Sequence, residues 1–377
     1  MAVRIAVDAR LAAYQQAGIT TYTVSLLEEM VSLAPEFRFV VLRSRKGGRL
    51  LPPASGVDDR ALLTPPHHRW EQAFLPLETA LARPHLVHSP DFVPCFRRRW
   101  RAVVTVHDLA FLRFPHLLTA DSRRYYGQVA EACRSADRVI AVSEHTARDL
   151  EELLGVTRER VRVVYEAANT LYRPLDDTAV AAVRLRHGAP TGYLLFVGTI
   201  EPRKNLATLL RALVVLKTGR GGAPAGGTPP LLVVGRPGWL YEETFRLVDA
   251  LDLRGAVRFL GAASTEDLLG LYNGAVALVC PSLYEGFGLP PLEAMACGTP
   301  VVCSDASSLP EVVGDAGLLV PPLDVAAWAE ALARVVADGR LRAELRERGL
   351  QRAKMFSWRR AASETLDVYR EALGLAR

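Results

Sequence analysis

Residues 193–217 read YLLFVGTIEPRKNLATLLRALVVLK. An apolar run, Tyr193–Val197, ends on Gly198, and after a short polar turn the apolar residues return at helical spacing through ATLLRALVVLK. A short strand followed by an amphipathic helix is one βα unit. The same rhythm runs outward in both directions. Upstream lie the strand-like RIAVDA, FRFVVL, HLVHS, AVVTVHD, RVIAVS and RVRVVY, with helical segments TYTVSLLEEMVSLA, RRYYGQVAEACRSA and HTARDLEELLG between them. Downstream lie PLLVVG, VRFLG, VALVCPS, TPVVCS and LLVPP, with ETFRLVDALDL, TEDLLGLYNGA and PLEAMACG as their helices. Strands alternating with helices imply parallel sheets built from βαβ units. The periodicity fades between Glu166 and Pro190. The expected fold is therefore α/β, with two doubly wound parallel-sheet domains facing across a cleft. Residues 1–170 form the first, 171–190 a linker and 191–357 the second, while a closing helix at about 358–377 packs back on the first. The Gly- and Pro-rich TGRGGAPAGGTPP (218–230) reads as a surface loop.

A length of 377 residues suits two cores of ordinary size. Half the residues are apolar and 23% are charged, the balance of a globular chain. No stretch approaches the roughly 20 apolar residues of a membrane span. The first residues, MAVRIAVDAR, enter a strand directly and lack the regions of a signal peptide, so a cytoplasmic location is expected. Cys95, Cys133, Cys280, Cys297 and Cys303 are odd in number and lack CxxC spacing, which reads as buried free thiols in a reducing compartment. A net charge of +5 suits an anionic small ligand and is too thin for nucleic acid.

In open α/β sheets ligands sit at the carboxyl ends of strands, so polar residues directly after a strand are the candidates. Glu285-Gly286-Phe287-Gly288-Leu289-Pro290-Pro291-Leu292-Glu293 follows the VALVCPS strand. Gly286 and Gly288 allow close backbone approach, and Pro290 and Pro291 open a helix whose free amides favour an anion such as a diphosphate. Two acids flanking that seat suit hydroxyls: ribose for Glu293, sugar for Glu285. Arg203 and Lys204, after YLLFVG, are placed to neutralise phosphate. His107 and Asp108 terminate AVVTVHD, and Gly18 lies in the first strand–helix turn. Ser308 to Glu311 has capping-box spacing, which makes Glu311 structural, and Ser143 is the expected N-cap of HTARDL. The basic-aromatic run Phe96-Arg97-Arg98-Arg99-Trp100-Arg101 reads either as a solvated loop or as a peripheral contact to an anionic membrane at the inner face of the cell.

EGFGLPPLEAMACGTPVVCS resembles the two-glutamate motif of retaining nucleotide-sugar glycosyltransferases with two Rossmann-like domains, the GT-B type of glycosyltransferase family 4 and group 1. The likeness continues through FVGTIEPRKNL, VVGRPGW, VRFLG and SSLPEVVGDAGLLVPP, and more thinly through VDAR…GITTYT, TVHDLAF and AVSEHT. It implies Lys204 at the donor phosphates, His107 at the donor sugar, the Gly18 amide near the phosphates, and Phe287, Gly288, Leu289, Thr199 and Asp108 lining the donor. An arginine often follows the glycine of FVG in this family. Here that position is Thr199, which leaves Arg203 as the substitute.

Retention of anomeric configuration follows from the resemblance. No DxD-like cluster suggests a bridging metal, so no cofactor and a metal-independent reaction are expected. GTIEPRKN, GRPGW and EGFGLPPLE together resemble the bacterial mannosyltransferases. GDP-mannose is the leading donor and UDP-linked glucose or N-acetylglucosamine the alternatives, with a glycan, lipid-linked or small-molecule acceptor. A nucleotide-sugar epimerase of the same form, a nicotinamide dehydrogenase (although the three-glycine fingerprint is missing) and a non-catalytic binding protein are the competing readings.

Overall fold

The computed structural model describes residues 2–14, 18–115, 124–218 and 227–375. Gln15–Ala17 of the first turn, Arg123 at the head of one expected helix, the centre of the 218–230 loop and residues 376–377 lie outside them. The chain divides into two compact units, Met1–Glu166 with Ser357–Arg377, and Ala167–Phe356.

The first unit is built on β1 (Val3–Asp8), β2 (Phe37–Ser44), β3 (Val57–Leu62), β4 (Leu86–Ser89), β5 (Arg101–Val106), β6 (Arg138–Ala141) and β7 (Val161–Val163). They pair in the order β3-β2-β1-β4-β5-β6-β7, every neighbour parallel. Helices cover a parallel sheet on both faces, so its central strands read as unbroken apolar runs; Ile5, Ala6 and Val7 are fully buried. β3 escapes pattern reading because VDDRAL carries charges along an edge. Its acids are matched by neighbouring arginines, Asp58 with Arg4 and Arg38 and Asp59 with Arg43.

The Gly18–Leu33 and Trp358–Leu373 helices pack against one another, and the latter also against β4, β5 and β6. A buried polar thread ties them to the sheet. Tyr369 Oη lies 2.7 Å from His88 Nδ1, His88 Nε2 lies 2.8 Å from Thr105 Oγ1, and Thr105 Oγ1 lies 3.0 Å from Tyr22 Oη. Burial drives the His88 pKa down to about 3, with the charge of His107 adding to the effect, so this ring is neutral at ordinary pH. The helix expected through RRYYGQVAEACRSA is interrupted at Gly127-Gln128, and its second part runs Val129–Ser135. Ser143 caps its helix as expected, accepting from the Thr146 amide at 3.0 Å.

The second unit contains β8 (Tyr193–Val197), β9 (Leu231–Val234), β10 (Val257–Gly261), β11 (Ala275–Cys280), β12 (Val301–Ser304) and β13 (Leu318–Val320). The order is β10-β9-β8-β11-β12-β13, again all parallel. This is the doubly wound order whose direction of winding reverses between β8 and β11. Gly235, at the end of β9, is required there: with φ at +158°, a Cβ would stand 1.9 Å from the Gly198 carbonyl oxygen. All five cysteines are buried and unpaired.

Candidate functional site

At the reversal point of the second sheet, where β8 lies beside β11, the loops that follow these two strands meet, the Leu283 amide donating to the Arg203 carbonyl at 2.9 Å. Each loop delivers half of a charged cluster. The β8 loop turns through Pro202–Lys204 and places the Lys204 ammonium 2.7 and 2.9 Å from the two carboxylate oxygens of Glu285 on the β11 loop. The Ser282 hydroxyl donates to the same carboxylate at 2.6 Å, and Arg203 reaches it at 3.4 Å. Arg203 also pairs with Glu201 at 2.8 Å and donates to the Tyr284 carbonyl at 2.8 Å. Glu201 and Glu285 are both buried. Burial alone would raise the Glu285 pKa, but the charges of Lys204 and Arg203 with their hydrogen bonds hold it below the usual carboxylate value. Lys204, Arg203, Glu201 and Glu285 thus sum to no net charge.

The turn that follows is fixed from below. Ser307 accepts from the Glu285 amide at 2.8 Å, and the Ser308 hydroxyl lies 2.9 and 2.7 Å from the carbonyls of Glu285 and Phe287. This corrects the capping-box reading of Ser308. Its backbone is already helical (φ −81°, ψ −11°) and its side chain makes no cap bond; a capping box requires an extended first residue. Phe287 is buried and meets Phe356 edge-on, ring centroids 5.7 Å apart. Gly288 adopts φ +112° and precedes the Leu289–Ala296 helix. Thr199 is exposed after β8.

Glu293 lies one turn into that helix. Its carboxylate accepts from the Tyr272 hydroxyl at 2.7 Å, and Tyr272 meets Tyr172 edge-on. Burial pushes the Glu293 pKa up to about 7, against the downward pull of the Tyr272 hydrogen bond. Glu293 and the Lys204–Glu285 pair are therefore brought to opposite ends of one glycine-rich turn, with different protonation behaviour.

In the first unit His107, after β5, is held at both ring nitrogens. Nδ1 lies 2.8 Å from Glu166 and Nε2 donates to the Pro90 carbonyl at 2.9 Å, while Tyr22 packs edge-on at 4.9 Å. Burial lowers the His107 pKa, but the Glu166 carboxylate, the Asp91 charge and the Pro90 carbonyl together raise it above its free value. With both nitrogens facing acceptors, this arrangement favours the doubly protonated ring. Asp108 accepts from the Ala110 amide at 3.0 Å, an Asx-type turn within its own loop. Gly18 is the exposed first residue of its helix.

Several residues of these clusters were not singled out from the sequence. Glu166 and Glu201 are single acids after strands, with no spacing to mark them, and Tyr272 reads as the core face of a helix. Arg10 is likewise hidden in VDAR. It is 2% exposed at the end of β1, bonded to Asp8 at 2.8 and 2.7 Å, to Glu71 at 2.5 Å and to the Thr64 carbonyl at 3.0 Å. Among the described residues no group of three or more His, Cys, Asp or Glu side chains is arranged to hold a metal ion, and no helix is long and apolar enough to cross a membrane.

Comparison with known proteins accounts for both halves of the chain. Residues 184–352 match the family Glycosyl transferases group 1, and residues 17–170 match Glycosyltransferase Family 4. The chain is 36% identical over 288 residues to O-antigen chain mannosyltransferase B of Escherichia coli, covering 76% of this chain and 74% of that one. It is 36% identical over 294 residues to D-inositol 3-phosphate glycosyltransferase of Saccharomonospora viridis, covering 74% and 67%. Sucrose-phosphate synthase from Thermosynechococcus elongatus superposes with a TM-score of 0.79 at 22% identity, covering 99% of each chain, and shares the fold. With two parallel Rossmann-like sheets and family matches on both units, this chain belongs to the family 4, group 1 glycosyltransferases of GT-B fold.

Proposed function

We propose that this glycosyltransferase moves a mannosyl group from GDP-mannose to a glycan, lipid-linked or small-molecule acceptor, with retention at the anomeric carbon and without a metal ion. The observation that carries the reading is the Lys204–Glu285 pair at the reversal point of the second sheet, directly before the Leu289–Ala296 helix. Lys204 spends two of its three N–H donors on Glu285, which leaves the third for a diphosphate oxygen. Arg203 and the positive end of the Leu289–Ala296 helix dipole supply further positive potential. As the bond from the anomeric carbon to the phosphate oxygen breaks, its electron pair goes to the diphosphate, where these groups stabilise it. The acceptor hydroxyl attacks from the same face, and its proton passes to the departing phosphate oxygen. No side-chain base is then required, and His107, with both ring nitrogens held by acceptors, is not needed as one. Glu285 accepts from sugar hydroxyls once ligand draws Lys204 towards phosphate.

Glu293 accepts from ribose hydroxyls, and its raised pKa makes that binding pH-dependent. In the free protein the protonated form is favoured. It contributes stability in full below about pH 4.5, and this is lost as pH rises through about 7. Ribose donors favour the ionised form, so GDP binding releases a proton below pH 7. Affinity for GDP should rise between pH 5.5 and 7 by up to roughly tenfold per pH unit and then level off. Calorimetry in buffers of different ionisation enthalpy measures the proton released, and a pH-independent affinity in the parent would remove Glu293 from the ribose. Glu293→Gln is expected to abolish the slope.

The donor is tested by incubating the protein with GDP-mannose, UDP-glucose or UDP-N-acetylglucosamine and candidate acceptors, with products read by mass spectrometry. GDP-mannose should be consumed fastest, with turnover insensitive to EDTA. Faster use of a UDP-sugar would overturn the donor assignment, and isomerisation of donor alone would identify an epimerase. The similarity to O-antigen chain mannosyltransferase B favours mannose.

A further inference from the structure

The Glu71–Ala80 helix of the first unit buries Glu71, Leu75 and Thr79, one side at four-residue spacing. Its opposite side is not polar. Trp70, Phe74, Leu77 and Leu81 stand at i, i+4, i+7 and i+11, a single helical stripe, and are 53%, 54%, 67% and 72% exposed. Leu63, 66% exposed, is drawn alongside because Glu78 accepts from the amides of Leu63 and Thr64. Scattered exposed apolar residues are ordinary, but a contiguous stripe of large ones marks an interaction surface. The stripe is about 16 Å long at 1.5 Å per residue.

The rim of this surface has one sign of charge. A groove of about 940 Å³ runs beside the helix, with Pro76 and Leu77 on one side and Arg83, Arg97 and Arg99 on the other. Arg69 stacks over Trp70 at the end of the stripe. Arg69, Arg83, Arg97 and Arg99 are all exposed. Both acids of the helix are engaged elsewhere, Glu71 with Arg10 and Glu78 with backbone amides. The basic-aromatic run Phe96–Arg101 contributes charge only: Phe96 and Trp100 pack against the core, and Arg98 is bound to the carbonyls of Cys95 and Ser135.

We propose that this face docks the first unit onto a membrane surface rich in anionic headgroups. The Trp70–Leu81 stripe lies in the plane of the interface with its apolar side chains at the acyl boundary, and the four exposed arginines meet lipid phosphates. Trp70, with an apolar body and a polar N–H, suits the headgroup level. A bilayer fits better than a second copy of the chain, because two-fold pairing of this face would set arginines against arginines. The inference is independent of which sugar is transferred.

The test is co-sedimentation of the full chain with vesicles of phosphatidylcholine alone or with about 30% phosphatidylglycerol. Binding is expected only to the anionic vesicles and should weaken in 0.5 M salt. Phe74→Ser with Leu77→Ser, and separately Arg97→Gln with Arg99→Gln, should each lower partitioning by roughly tenfold or more. These side chains are exposed, so the melting temperature should be unchanged. No binding to anionic vesicles would overturn the proposal, as would equal, salt-insensitive binding to both compositions. A parent dimer dissolved by Phe74→Ser would also overturn it and assign the stripe to a second copy.

Discussion

Replacing Lys204 by methionine is expected to lower the rate of sugar transfer by at least about 10²–10³-fold at saturating donor, the scale of removing one electrostatic contact to the leaving group. The same change should destabilise the second unit. Lys204 is the principal partner of a carboxylate that is itself buried, and removing one member of a buried pair costs roughly 3–5 kcal/mol. The two effects are separable. In Lys204→Met with Glu285→Gln the orphaned charge is gone, so thermal stability should return most of the way towards the parent. Transfer should not return, since neither the phosphate cation nor the sugar-facing carboxylate is present. Recovery of transfer in the double variant, or near-normal rates in a folded single variant, would show that the pair only braces the two loops.

A second large effect is expected in the first unit. Arg10→Met should cost roughly 3–5 kcal/mol, because Asp8 and Glu71 then share a buried space with no cation between them. For a unit of this size that corresponds to a fall in melting temperature of about 10 °C. Burial already raises the Glu71 pKa, with the Arg10 charge opposing it. Without Arg10 the Glu71 carboxylate titrates at still higher pH in the folded state than when unfolded, so the variant should regain stability as pH falls towards 5. Calorimetric scans between pH 5 and 8 measure this; a deficit that stayed constant across that range would mean that lost packing, and not charge, is responsible.

Much of this architecture was legible in the residues, and the exceptions have physical causes. Twelve of the thirteen described strands stand out as apolar runs, the central ones because a parallel sheet buries them on both faces; β3 does not, because its outward acids are balanced by arginines from β1 and β2. The Glu285 to Glu293 segment was legible because two glycines and two prolines at a strand–helix junction have few other uses. Lys204 was found by position, whereas its direct pairing with Glu285 joins residues 81 positions apart and depends on β8 lying next to β11. Ser308 shows the opposite case. The letters S-x-x-E specify a cap only if the backbone at the serine is extended, and here the turn beneath Glu285 draws it into a helical conformation. Glu166 was passed over because an acid after the last strand of a domain looks like any solvated residue until His107 is seen beside it.

The chain leaves the first unit at Glu166 and returns to it at Ser357, after the whole second unit has been traversed. On the ribosome, the second unit is the contiguous one and can close its core as soon as its own residues emerge. The first unit must wait. Until Tyr369 arrives, His88 in its core lacks one of its two partners, and Tyr22 and Thr105 lie beneath a gap that the final helix will later cover. The portion translated first is thus the portion completed last, and a nascent first unit should stay sensitive to proteases until synthesis has passed the Trp358–Leu373 helix.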